Sequence, residues 1–228
     1  MLLVFIGSFA KDALKLIKTE KDFVDLNEHE RHDLVKKHLG DDYPQELTDY
    51  LLKIKGDSFL DELKSSVDYL GTGIVPKHRH FLDAVLTYIA KNFAMKLDYF
   101  DYDFFFQDIV WREKLLLEVF PGDSFFQKEV RDYVSGSTYQ EITEQGQKHL
   151  RDLKNSPIVI IQSATSISKE TLQQVRKFFS EKYPYSFVEF QINPQIIGGL
   201  RLFIDGVVVD YSWLSKIQKI SQLAYQLS

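Results

Sequence analysis

At Pro157 the chain passes from charge-rich, helix-patterned sequence into Ile158-Val159-Ile160-Ile161, a short apolar run of β-branched side chains. Such side chains are stiff at χ1 and fit a pleated surface, and so brief a run bounded by proline reads as a buried strand. A lone strand cannot satisfy its own backbone, so partners must follow. Phe187 to Ile192 alternates Phe187, Glu189 and Gln191 with Val188, Phe190 and Ile192, as a half-buried strand does. Leu200 to Ile204 and Val207 to Asp210 flank Asp205-Gly206, two residues that tolerate positive φ and so close a hairpin. Between the first two strands, Ser168 can cap a helix from Lys169 to about Tyr183 with Leu172, Val175, Phe178 and Phe179 on its apolar side, and Pro184 stops it. Ser212 can cap a last helix carrying Leu214, Ile217, Ile220 or Ser221, Ala224 and Leu227 along one side. The predicted order is strand, helix, three strands, helix.

Upstream the periodicity is helical. Phe9 to Lys18, Leu47 to Ile54, Phe59 to Leu70 and Phe81 to Leu97 each bring apolar residues to one stripe, with Ser58 as a possible cap. Gly71-Thr72-Gly73 and Pro76 mark a loop, Pro121-Gly122-Asp123 ends a further helical stretch, and Ser135-Gly136-Ser137 can turn the chain. Gln140 to Lys154 reads as a polar helix leading to a linker at Asn155-Ser156-Pro157. Two segments stay open. Met1 to Ile6 fits a buried terminal strand or a helix start, and the aromatic stretch Tyr99 to Phe106 fits a strand or the buried side of a helix. The expected fold class is α+β: a mainly helical bundle over 1–154, then a small α/β domain over 155–228 with a short mixed sheet and two helices.

Composition narrows function. The chain has no cysteine, which excludes disulfides, thiolate metal sites and a cysteine nucleophile. Of 28 Lys/Arg and 33 Asp/Glu, seven and five fall from Asn155 onward, leaving 21 against 28 upstream. An upstream net charge of −7 opposes binding to phosphate backbones, so no nucleic-acid partner is expected. The acidic residues among the Tyr99–Phe106 rings oppose base stacking in the same way. No apolar run approaches a membrane span, and Met1 to Ile6 lacks the flanks of a secretory signal.

Residues Ser163-Ala164 close the first strand before a helix. Ile192-Asn193-Pro194-Gln195-Ile196-Ile197-Gly198-Gly199-Leu200 and Asp205-Gly206-Val207-Val208-Val209-Asp210-Tyr211-Ser212 follow in order. This ordered set resembles the delta subunit of bacterial and organellar ATP synthases, the oligomycin-sensitivity-conferring protein of mitochondria. The motif residues are Ser163, Ala164, Asn193, Pro194, Ile197, Gly198, Gly199, Gly206, Asp210 and Ser212. Asn193 stands where the family has Asp, and Tyr211 where it has Gly. Phe9-Ala10-Lys11-Asp12-Ala13-Leu14 is only loosely similar to the family's opening helix.

The resemblance implies structural roles alone, with no catalytic residue, cofactor or metal. Pro194 would leave a strand edge without a donor, and Gly198-Gly199 would allow a bend and close backbone approach. It implies a stator subunit whose amino-terminal domain grips the alpha subunits of the catalytic head. Its carboxyl-terminal domain would hold the b subunits of the stalk, resisting rotor torque. It also implies membrane association only through that complex, at the cytoplasmic face of the cell membrane or its organellar equivalent.

Two other classes compete. An adaptor would join a delta-like carboxyl-terminal domain to an unrelated amino-terminal module, and a strand at Met1 favours it. An α/β enzyme would show a cleft lined by titratable groups. His29 and His32 could share a helix face and bind zinc beside Glu28 or Asp33, although a solvated helix explains them as well. Met1–Ile6 with Gly7-Ser8 hints at a strand entering a phosphate turn but lacks the second glycine and its lysine. Ser163 and Ser168 lack a nucleophile elbow, and no histidine lies beyond His149.

Overall fold

The computed structural model describes residues 1–100, 102–213 and 215–218. The chain divides into two compact units, Met1–His149 and Leu150–Ser228.

The first unit is helical: α1 (Leu2–Thr19), α2 (Glu28–Leu39), α3 (Gln45–Lys53), α4 (Gly56–Thr72), α5 (His80–Tyr88), α6 (Ala94–Lys96), α7 (Ile109–Val119), α8 (Phe125–Gly136) and α9 (Tyr139–Lys154), the last crossing the division. Its centre is α1, whose Leu2, Phe5, Phe9, Ala13 and Leu16 recur at helical spacing and are buried. Phe9 stacks on Phe81 at 4.8 Å, Phe5 meets Phe93 edge-on at 5.1 Å, and Tyr88 meets Phe126 at 4.9 Å. Burying each such ring is worth about 1.5–3 kcal/mol, and each ring pair about 0.5–1.5 kcal/mol more.

Several expectations for this unit change. Met1–Ile6 is not a strand: residues 2–6 open α1, and Gly7 and Ser8 lie inside it, with the Ser8 hydroxyl donating to the Val4 carbonyl at 2.8 Å. Burial of Leu2, Phe5 and Ile6 on one side of a helix outweighs the β-like composition of the run. Ser58 does not cap α4. The helix begins at Gly56 with Lys55 outside it, and the Ser58 hydroxyl bonds back to the Lys55 carbonyl at 3.0 Å. The stripe from Phe81 to Leu97 is interrupted by a π turn at Ile89–Phe93 between α5 and α6. Among its described residues Tyr99–Phe106 holds neither strand nor α-helix: Tyr99 ends the 3₁₀ turn Leu97–Tyr99, and Tyr102–Phe106 forms a second. They enclose Phe100, stacked on Phe120 at 5.7 Å, and Phe104, edge-on to Phe100 at 5.0 Å.

Two buried carboxylates fix helix starts across this unit. Asp12 of α1 accepts the amides of Phe125 (3.0 Å) and Phe126 (2.9 Å) at the start of α8, and the Tyr43 hydroxyl at 3.3 Å. Burial pushes the Asp12 carboxyl above its ordinary range, partly offset by those amides. Glu62 of α4 accepts the Phe81 amide at 2.9 Å in the first turn of α5. Each carboxylate meets amides that would otherwise lack intrahelical acceptors and complements the positive end of a helix dipole.

The second unit carries a sheet of order β2-β1-β3-β4, with β1 (Ile158–Ser163), β2 (Phe187–Ile192), β3 (Leu200–Ile204) and β4 (Val207–Asp210). β1 and β2 are parallel and joined through α10 (Lys169–Lys182); β3 and β4 form an antiparallel hairpin beside β1. Ser168 caps α10 by accepting the Thr171 amide at 3.3 Å. Val159, Ile161, Val188 and Phe179 form the core, with Phe190, Leu202 and Ile204 at its margin. Arg176 is also buried, donating to the Val188 carbonyl beneath the Phe190 ring. Phe178, expected on the inner side of α10, is 58 % exposed. β2 does not alternate as expected: Phe187, Val188 and Glu189 are all buried, and exposure rises toward Ile192. After Ser212, residues 213 and 215–218 are helical, and the Ser212 hydroxyl accepts the Ser215 amide at 3.2 Å. Leu214, Ile220, Ser221, Ala224 and Leu227 of the expected last helix lie outside the described residues.

Candidate interaction surface

The register collects most of the motif residues at one end of the sheet. Ser163 ends β1, opposite Ile192 at the end of β2 and Leu200 at the start of β3, while Asp210 ends β4 opposite Arg201. Just beyond Ser163, at Ala164, the chain bends, and the Ser163 hydroxyl donates to the Thr165 carbonyl at 2.6 Å. The Ser163 carbonyl accepts the Asn193 amide at 2.8 Å, and the Asn193 side chain accepts the Gln195 amide at 3.0 Å, closing a turn. Pro194 is exposed in that turn rather than in a strand, because β2 has already ended at Ile192. Gly206 alone lies at the opposite end, where Asp205 (φ 48°) and Gly206 (φ 83°) close the hairpin.

Gly198 and Gly199 form the support on which residues 211–213 rest. Both have positive φ, 62° and 78°. A Cβ on Gly199 would overlap the Tyr211 carbonyl oxygen and come within 3.0 Å of the Ser212 Cα, and one on Gly198 would strike the Trp213 ring. Hydrogen bonds knit the two segments: Tyr211 N–H to Leu200 O at 2.9 Å, and Trp213 N–H to Ile197 O at 3.1 Å. Asp210 completes the joint, accepting the Ser212 amide at 2.8 Å and Arg201 Nη2 at 3.0 Å. The Ser212 hydroxyl and amide, then Arg201, hold the Asp210 carboxyl below the usual range.

Around this joint Ile192, Ile197, Tyr211, Trp213 and Ile217 are each more than half exposed, and Leu200 is 40 % exposed. Lys216 lies over the Trp213 ring at 5.1 Å. Exposed apolar residues scattered singly are ordinary; six of them near one joint make it the candidate interaction surface of this unit. The periodicity of the sequence does not reveal it, because loop and cap residues supply most of it. Tyr211 fits where the family has glycine because its φ is not positive and its side chain stands in solvent. Asn193 keeps the turn an Asp would make and also donates to Gln162 Oε1 at 3.1 Å.

The helical unit contains a cleft of about 890 Å³ lined by titratable groups, among them Glu46, Asp49, Asp61, Glu62, His78 and His80. Glu62 is committed to structure there through the Phe81 amide, His80 Nδ1 at 3.2 Å and a long contact with the Tyr50 hydroxyl at 3.5 Å. His29 lies 3.8 Å from Asp33 on α2, with both side chains mostly exposed. Among the described residues no group of three or more His, Asp or Glu is placed to hold a metal ion. Among them, too, no helix is long and apolar enough to cross a membrane.

Residues 132–223 match the family model described as ATP synthase delta (OSCP) subunit. The resemblance read from the sequence is thereby shown for the carboxyl-terminal part of the chain. The match begins inside α8 and takes in α9, whose polar sequence offers no motif. A search of curated proteins returns no match to the chain.

Proposed function

We propose that the chain is a peripheral-stalk subunit of an F-type ATP synthase, with no chemistry of its own. The observation that carries this reading is the delta-family match over 132–223, and the apolar joint around Gly198–Gly199 falls within it. In this reading the sheet unit binds the b-subunit stalk through Ile197, Tyr211 and Trp213, and the helical unit binds the alpha subunits of the head. Both contacts together resist rotor torque, and the protein meets the membrane only through the complex. Apolar side chains held on a rigid joint suit a static grip, since little ordering entropy is lost on binding.

The test is purification of the tagged protein from its native membranes, followed by identification of what comes with it. Alpha, beta and b subunits are expected in comparable amounts, and Ile197→Asp with Trp213→Asp should release the b subunit first. Recovery of the protein alone would defeat the proposal. One observation favours a second reading: residues 1–131 lie outside the family match. An adaptor carrying a delta-like domain would co-purify with some other complex.

A further inference from the structure

Helix α4 presents an unusual outer face. Leu60, Lys64, Val67 and Gly71 follow one another at spacings of four, three and four, which is the 3.5-residue period of a helix-packing seam. Leu60 is 60 % exposed and Val67 50 %, and Ile74, just past the helix, is 74 % exposed. Gly71, with no side chain, allows close approach of another backbone. The inner face is separately occupied: Phe59, Glu62 and Ser66 are buried against the unit.

Charge lies along one flank of the seam. Asp61 and Asp68 are a heptad apart, both exposed, each following a seam residue. Asp61 also borders the cleft whose lining includes Glu46, Asp49, Glu62 and Asp83, with Lys53, Lys55 and Lys77 at its rim. The Glu46 Oε2 is buried there with no hydrogen-bond partner among the described residues, and burial pushes its carboxyl above the ordinary range. Lys91 and Lys96 already act on that carboxyl, so the negative charge open to a partner is that of Asp61 and Asp68. The acidic row disfavours a second copy of α4, which would set Asp against Asp.

We infer that the outer face of α4 docks a partner helix whose apolar residues recur at 3.5-residue spacing and whose flank carries Lys or Arg. From Leu60 to Gly71 the seam runs about 16 Å along α4 at 1.5 Å per residue. The partner's basic flank meets Asp61 and Asp68. Because α4 lies outside residues 132–223, this site is separate from the delta-type joint and stands whether or not the stator reading holds.

The test titrates the full chain against two labelled synthetic three-heptad helices with leucine at the seam positions, one with lysine flanks and one with glutamate flanks. Fluorescence anisotropy should show the lysine form binding at least tenfold tighter. Val67→Glu should weaken it tenfold or more, and Asp61→Lys with Asp68→Lys should invert the preference. Glu28→Lys with Asp33→Lys on α2 makes the same charge change elsewhere and should leave binding within twofold. Absence of binding, equal binding of the two peptides, or loss in the α2 variant equal to that in the α4 variant would overturn the inference. All of the substituted positions are exposed, and circular dichroism of each variant verifies folding.

Discussion

Phe5, Phe9, Phe81 and Phe126 of the helical unit are wholly enclosed, whereas Phe178, Tyr211 and Trp213 of the sheet unit stand more than half exposed. Both units are rich in aromatic side chains, but they use them differently. In the helical unit the rings close on one another and supply the apolar burial that orders many short helices. In the sheet unit the core is three aliphatic side chains, Val159, Ile161 and Val188, packed with Phe179, and Phe178, Tyr211 and Trp213 are left at the surface. Stability in the first therefore rests on ring packing, and in the second on backbone geometry at a few glycines.

The largest test of that contrast is Phe9→Ala. Removing a ring at the centre of the cluster should cost about 3–5 kcal/mol, read by denaturation followed through Trp111 in a Trp213→Phe background. If the loss is under about 1 kcal/mol, the ring cluster does not carry the unit.

In the sheet unit Gly199→Ala should cost about 2–3 kcal/mol, since it combines a positive φ with overlap on the Tyr211 carbonyl. Gly206→Ala, also at positive φ but with open space around it, should cost only about 1 kcal/mol. Denaturation followed through Trp213 in a Trp111→Phe background separates the two, and equal losses would mean that the joint is not close-packed.

Asp12→Ala is expected to cost about 1–3 kcal/mol, because two amides of α8 lose their buried acceptor. The smallest effect contrasts Asp12 with Asp210. The Asp12 carboxyl is raised by burial, so its contribution to stability is present below the unfolded-state value and lost as pH rises through its folded value. The Asp210 carboxyl is lowered, so its contribution is present above the unfolded-state value and lost as pH falls through its folded value. Stability measured against pH for Asp12→Asn and Asp210→Asn, each relative to the parent, should slope in opposite directions. Slopes of the same sign would break the comparison.

The sheet was legible from the sequence because its signals are local: β-branched runs, a two-residue hairpin turn and Ser168 ahead of a helix. The joint was half legible. Gly198-Gly199 stood out as residues, but the reason for them lies at Tyr211 and Trp213, a dozen positions away, and only tertiary structure brings these together. The helical unit was legible as helical and little more. Met1–Ile6 has the composition of a strand, and only burial of Leu2, Phe5 and Ile6 against the ring cluster decides for a helix. Tyr99–Phe106 escaped both readings because neither simple period describes rings held by successive 3₁₀ turns. The carboxylates Asp12 and Glu62 gave no signal, since each acts on a helix other than its own.

Those two carboxylates bear on how the helical unit exchanges its amide protons with water. The first-turn amides of a helix commonly exchange fast, because nothing in the helix holds them. The amides of Phe81, Phe125 and Phe126 are held by side chains of other helices, those of Phe81 and Phe126 in buried bonds. Their protons can leave only when α4 parts from α5, or α1 from α8, so they should exchange on the schedule of whole-unit opening rather than of fraying ends. Two helix starts that would ordinarily be the loosest points of a bundle are thereby made as slow as its centre.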